Sequence, residues 1–468
     1  MDNRKRTIGK SEKSRSRSVS GRVIRQTAIA PLIGFLFVSF ITFSLLIVSF
    51  TARAERNDAA LVPTDTREGR LAVFDDVWST IHERYYDSHF HGLDWDVQRA
   101  TFRSPAAEAG SSRELYLVLR RMIAALNDSH TRIYPPEERF DWWRPRFVSA
   151  GIVVREVEGL PVVIAVQRGS APQRAGLRAG DIIESVNGTP ALALVNSELA
   201  ESVVAASPPD APSATSRFRA FATLLDGPPE SSVEIRWQGK NGKERSAHFW
   251  RSWQQRELNL RLRREAGRYA IIEIDAFTKP IAAAFARVLK EKMAGVRGLI
   301  LDLRNNGGGD TDAMIDIASA VVVDGSNLGQ FTERSANSFT IFTRSKSLST
   351  PERIAPTMLP LVVLASERTS SAAEIFVTAL KASRRATIIG RETCGCVLAI
   401  RTRHLLPDGG LLDVSELDYR TATGVRLEGH GIKPDETVLV QRADLYSGRD
   451  RALDIAVRRL TRPLALHH

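Results

Sequence analysis

Cysteine is almost missing from this 468-residue chain: only Cys394 and Cys396 occur, with one residue between them. Two cysteines exclude a disulfide framework. So short a loop meets disulfide geometry poorly, and two small half-buried residues are expected instead. Metal signatures are also lacking. His82-Glu-Arg-Tyr-Tyr86 has no second histidine at zincin spacing, so His82, His89 and His91 are expected as solvated loop residues and no cofactor or metal is called for. The triple glycine Gly307-Gly-Gly309 lacks the Gly-Lys-Ser/Thr of a phosphate loop. Outside the first 26 residues there is little excess charge. The net charge is +11, and that segment holds nine Lys/Arg against two acids, 9 − 2 = +7, leaving 11 − 7 = +4 for the rest. Basicity confined to a tail argues against a nucleic-acid partner.

What is present begins with an uncharged stretch from Gln26 to Ala52, almost wholly apolar over Ala28–Phe50. At about 1.5 Å per residue it reaches roughly 35 Å, enough to cross a bilayer core of about 30 Å. The preceding basic residues place the N-terminus in the cytoplasm and the body outside. Ala52-Arg-Ala54 resembles a signal-peptidase site, but the run is long for a cleaved signal, so an uncleaved inner-membrane anchor is expected with the body on the periplasmic side.

A length of 468 residues allows several domains. The pattern divides the chain into a basic tail (1–26), the apolar anchor (27–52), a helical domain (66–146), a β-rich unit (147–253) and a larger α/β core (254–460). Val73, Val77 and Ile81 recur at helical spacing, and Ser111-Ser-Arg-Glu114 is a capping box before Leu115, Leu119, Met122 and Leu126. Strand-like runs and the Lys240-Asn-Gly-Lys243 turn mark the β-rich unit. Its Ala/Ser/Pro-rich stretch, residues 191–229, reads as an insertion or mobile loop. Beyond it, strand and helix signals alternate, which argues for a layered α/β domain.

Four places carry chemistry-bearing residues. Leu361–Ser383 reads strand, turn, helix, with Thr369, Ser370 and Ser371 in the turn. A serine there lies beside the unpaired N–H groups of a helix start, although Ser371-Ala-Ala-Glu374 is also a capping box. Ser129-His130 follows a helix end and has the makings of a general base held by its neighbours. The Gly307–Gly309 loop lets a ligand approach the backbone closely. Glu428-Gly-His430 brings a second histidine.

Leu126–Thr131, Ala175–Gly188, Leu301–Gly309, Thr369–Glu374, Gly390–Thr393 and Glu428–Asp435 together resemble, in order, the motifs of the tail-specific or C-terminal processing serine proteases. The resemblance implies a crotonase-like or ClpP-like layered α/β protease core with an N-terminal helical domain and a PDZ-like module. In that module Gly151, Ile152 and Val153 fall where the family captures a peptide carboxylate, implying strand addition of polypeptides with exposed C-termini. The family's lysine base is absent, its position being Cys396. The tricorn-like version matches instead: Ser371 as nucleophile, His130 as base, Ser129 beside it and Glu428 as the distant glutamate. Oxyanion donors fall at Gly307, Gly308 and Ala372. Ser370 and Cys396 remain alternative nucleophiles and His430 an alternative base. The implied function is an envelope serine endopeptidase; the alternative is a catalytically degenerate PDZ-type peptide-binding protein.

Overall fold

The computed structural model describes residues 61–138, 141, 144–204, 214–349 and 355–461. The basic tail and the apolar stretch that follows it lie outside the described residues. No described helix is long and apolar enough to cross a membrane.

Helices α1 (Arg67–Arg84), α2 (Trp95–Glu108) and α3 (Ser112–Ala124) open the described chain. Each starts on a side-chain cap, from Thr66, Asp94 and Ser111 respectively, which satisfies donors that a helix start leaves orphaned. Val73, Val77 and Ile81 are fully buried against Leu115, Leu119 and Met122. His82 lies within α1, not in a loop as its sequence suggested, because that apolar stripe carries the helix past it. The distant segment Leu411–Asp413 pairs antiparallel with Arg132–Tyr134, and Leu412 and Val414 enter the same core. The loop holding His130 is therefore clamped between the helical region and the C-terminal part of the chain.

Strands β1 (Ile152–Val157), β2 (Leu160–Val166), β3 (Ile182–Val186), β4 (Ser232–Gln238) and β5 (Glu244–Trp250) form an antiparallel sheet in that order, with β1 at the edge. Between β3 and β4 lie α4 (Ala191–Val204) and α5 (Ala214–Ala222). Of the two readings of 191–229, insertion or mobile loop, the mobile loop is corrected at 191–204 and 214–222, which are helical, while 205–213 lie outside the described residues. Val195 and Leu199 of α4 bury against Ala220 and Phe221 of α5, and tertiary burial outweighs the small-residue composition.

The core sheet contains β6 (Leu260–Glu265), β7 (Tyr269–Ile274), β8 (Gly298–Asp302), β9 (Leu361–Ala365), β10 (Thr387–Gly390) and β11 (Glu436–Thr437), in the order β6-β7-β8-β9-β10-β11. All pairs are parallel except β6 with β7. Helices α6 (Lys279–Glu291), α7 (Thr311–Ser319) and α8 (Ala372–Ala382) pack on one face through Phe285, Met314 and Phe376. Helix α9 (Arg451–Thr461) covers the other through Leu453 and Ala456. Cover on both faces explains why β8 and β9 are buried at every residue. In such sheets sites form beyond the carboxyl ends of the parallel strands. The loops leaving β8, β9 and β10 there are 303–309, 366–371 and 391–396.

Candidate active site

Three loops at one end of the sheet hold the turn that carries Ser371. The Thr369 hydroxyl, fully buried, donates to Leu303 O at 2.8 Å. Ser370 N donates to Asn306 O at 3.2 Å and Ser371 N to Cys396 O at 2.7 Å. Ser371 thus starts α8 at φ 57°, ψ −130°, a conformation L-residues adopt at a cost of order 1–3 kcal/mol. Its Oγ makes no capping hydrogen bond. A sharp strained turn between strand and helix is how a nucleophilic hydroxyl is presented outward.

Glu374 keeps only a secondary contact with the Ser371 N–H, and its main partners lie elsewhere. It is fully buried and reaches sideways, accepting from Thr393 Oγ1 at 2.5 Å, Gly395 N at 2.7 Å and Cys396 N at 2.9 Å. Burial pushes its carboxyl up to about 7 against those donors. The side chain staples the 393–396 loop to the first turn of α8.

In that loop the structure corrects the sequence reading of the cysteines: Cys394 and Cys396 are bonded to each other. Gly395, at φ +71°, turns the chain between them, and the two Cα atoms stand 5.2 Å apart, inside the usual disulfide range. The Cys396 sulfur is therefore not a free thiol.

The Gly307–Gly308 loop abuts the serine. A Cβ on Gly308 (φ +95°) would lie 2.7 Å from Ser371 Cβ and 3.1 Å from Ala372 N, so only glycine permits this approach. Gly308 N–H is directed to Asn306 Oδ1 at 2.8 Å. No acceptor within the protein takes the N–H of Gly307 or Ala372 among the described residues. Those two are the donors available to a developing oxyanion.

His130 follows a turn built by Asp128, whose carboxylate accepts from His130 N at 2.7 Å and from Thr131 N and Oγ1. Thr131 Oγ1 in turn accepts from Ser415 N at 3.1 Å. Ser129 Oγ lies 3.3 Å from His130 Nδ1, a contact that leaves Nε2 free when Nδ1 carries the proton. Burial, and secondarily Arg132, drives the imidazole down to about 4 despite Asp128. Glu428 accepts from Val397 N at 2.6 Å and Leu398 N at 3.1 Å. Burial and then the field of Asp128 push it up to about 7, so the His130 turn and Glu428 share one environment. Tyr85, at the end of α1, is raised by burial and by both Asp128 and Glu428.

The fold thus gathers Ser371, Ala372, Gly307 and Gly308 in one cluster and Ser129, His130 and Glu428 in a second. The 396–398 backbone links the two. Ser371 and His130 are not hydrogen-bonded to one another among the described residues; such contacts commonly tighten only with substrate bound. His430 is exposed and Nδ1 meets the Glu428 carbonyl at 3.2 Å. Gly151 (φ +80°) lies just before β1, and Ile152 and Val153 begin it, at the edge of the β-rich sheet. Sequence reasoning missed the tie roles of Asp128, Asn306, Glu374 and Thr393. The pairing of Glu374 with Thr393 leaves no local pattern to read.

Family models match in three places. Peptidase family S41 covers residues 268–438, the Tricorn protease C1 domain 67–124 and the PDZ domain 149–207. The chain is 26% identical over 400 residues to the chloroplastic C-terminal processing peptidase of Tetradesmus obliquus, covering 81% of this chain and 79% of that one. It is 26% identical to a probable CtpA-like serine protease of Staphylococcus aureus over 62% of this chain, but spans only 53% of that relative. Among solved structures, a photosystem II D1 C-terminal processing protease superposes with a TM-score of 0.52 at 25% identity, covering 85% of this chain and 98% of that one. In chain order the helical region, the PDZ module and the S41 core match these models, and with the C-terminal processing relatives they support a PDZ-containing serine peptidase of the tail-specific kind.

Proposed function

We propose that this peptidase cleaves exposed or unfolded C-terminal regions of proteins in the cell envelope, with Ser371 as nucleophile and His130 as general base. The observation that carries the nucleophile is Ser371 at a strained helix start, beside unengaged N–H groups of Ala372 and Gly307. Ser371 Oγ attacks the scissile carbonyl as its proton passes to His130 Nε2. Ala372 N–H and Gly307 N–H take the oxyanion, and the imidazolium returns the proton to the leaving amine. Water then hydrolyses the acyl-enzyme by the same base. Ser129 orients the ring at Nδ1, and Glu428 with Asp128 stabilises its protonated form. Substrate tails add to the edge strand β1, where Gly151, Ile152 and Val153 lie.

The envelope placement rests on the apolar stretch 28–50 and its flanking charge. Membrane fractionation of cells expressing the full chain checks it: a fully soluble body would overturn the anchor. Mechanistically, a fluorophosphonate probe should label Ser371, and the label should vanish in Ser371→Ala. Labelling of Ser370, or none with tail cleavage retained, would overturn the assignment.

A further inference from the structure

The edge of β1, where a peptide tail would add as a strand, is covered by helix α5 of the same chain. Helix α5 packs against both β1 and α4. Three sets of contacts seat it there. Arg217 pairs with Glu156 of β1, Nε to Oε2 at 3.2 Å. The Arg155 guanidinium, on a side chain only 9% exposed, lies 4.6 Å from the Phe218 ring centre. Ala220 and Phe221 are buried against Val195 and Leu199.

The same helix also reaches the catalytic loops. The Thr215 hydroxyl donates to Cys394 O, within the loop whose Cys396 O holds Ser371 N. Arg155 itself is held down to about 10 by burial and then by Arg368, three residues before Ser371. No local signal predicts any of this, since residues 214–222 lie in a stretch whose composition suggests a loop.

We propose that α5 is a resident, displaceable occupant of the peptide-adding edge. A substrate tail must lift it from β1 before pairing with Ile152–Val157, and lifting it releases the Thr215–Cys394 tie beside the nucleophile turn. This deepens the tail-peptidase reading and rests on it. The exchange is chemically matched: a tail regains along β1 the contacts that α5 gives up, together with backbone hydrogen bonds that a helix cannot offer to a strand edge. A competing occupant lowers the apparent tail affinity by the fraction of molecules in which the edge is open. Tails too folded to extend along β1 would leave α5 in place, so the device selects unfolded ends.

The test uses the full chain in two opposed forms. In the locked form, Glu156→Cys and Arg217→Cys are joined by a short bismaleimide; the native cysteines, bonded to each other, do not react. In the loosened form, Arg217→Glu and Phe218→Ala remove both contacts to β1. Binding of a fluorescent unstructured C-terminal peptide is followed by anisotropy, with singly substituted, alkylated proteins as controls. Ser371 labelling is scored in parallel. The loosened protein should bind the peptide about 5–10-fold more tightly, and the locked protein at least about tenfold more weakly, than wild type. Equal peptide affinity in all forms overturns the occupant proposal, and the peptidase reading stands if Ser371 still labels. Affinities that differ as stated with no Ser371 labelling and no tail cleavage overturn the peptidase reading alone.

Discussion

Two segments of this chain carry the same helix-start signature, Ser-x-x-Glu, and the structure uses them in opposite ways. At Ser111-Ser-Arg-Glu114 the backbone is extended (φ −158°, ψ 160°), Ser111 Oγ accepts from Glu114 N, and the Glu114 carboxylate returns to Gly110 N at 2.7 Å. That is a cap, satisfied within five residues. At Ser371-Ala-Ala-Glu374 the serine has φ 57°, its hydroxyl caps nothing, and the glutamate carboxylate is drawn mainly to the 393–396 loop, with only a secondary contact to Ser371 N. What separates them is their surroundings. Ser111 follows a surface turn, free to adopt extended geometry. Ser371 leaves a fully buried strand between two loops whose hydrogen bonds dictate its backbone. A local motif holds where nothing tertiary competes, and a local motif broken at measurable strain marks a functional turn.

Breaking the second segment should therefore destroy activity without unfolding the protein. Ser371→Ala is expected to lower kcat for a tail-tagged substrate by about 10⁴-fold or more with the melting temperature unchanged or raised, since it removes a hydroxyl and no hydrogen bond; steady-state assays and calorimetry check both. His130→Ala should lower kcat/KM by about 10²–10⁴-fold. Because burial holds this imidazole down to about 4, the base is already neutral across the physiological range. Its acid limb in the kcat/KM profile should fall near pH 4 rather than near the ordinary value of 6.5.

Glu374→Ala sharpens the contrast through stability, leaving three buried donors unpaired at roughly 1–3 kcal/mol each before relaxation, and denaturant titration should register it. The pH dependence has a definite sign. Glu374 holds its proton up to about 7 when folded against 4.5 as an isolated side chain, so its ionisation opposes the fold. The stability contributed by its protonated form is fully present below about pH 4.5 and is lost as pH rises through about 7. Wild-type stability should decline over that window, and Glu374→Gln should flatten the decline. Glu428, also raised to about 7, acts in the same direction. The smallest effect belongs to the ordinary cap: Ser111→Ala should cost about 1 kcal/mol of stability and leave kcat unchanged. A large activity loss there would erase the distinction between the two segments.

Much of the architecture was legible before any coordinates. Val73, Val77 and Ile81 announce a buried helical face, and the wholly apolar Leu361–Ala365 and Gly298–Leu301 announce strands covered on both sides, because burial imposes a period that substitution cannot hide. The order of short motifs from Leu126 to Asp435 pointed to the family. For the Ala/Ser/Pro-rich stretch, read as an insertion or mobile loop, the mobile-loop alternative failed because small residues carry weak intrinsic preferences, and its helices exist through the contacts of Val195 and Leu199 with Phe221. The cysteine pair was misread because loop length alone disfavoured a bridge, while Gly395 turned the chain in a way that no length argument contains.

The sequence alone determined which residue types stand at the ends of which strands and helices: a serine opening a helix, a histidine after one, glycines after a strand. Periodicity and turn chemistry are local, and they are written residue by residue. Only the tertiary structure decided that Ser371 would forgo its cap, that Glu374 would bind the 393–396 loop, and that Glu428 would share the surroundings of Asp128 and His130. It also decided that α5 would lie on β1. Each of these depends on hydrogen bonds and burial between segments tens to hundreds of residues apart. The energy of such contacts resides in relative placement, which no spacing along the chain encodes.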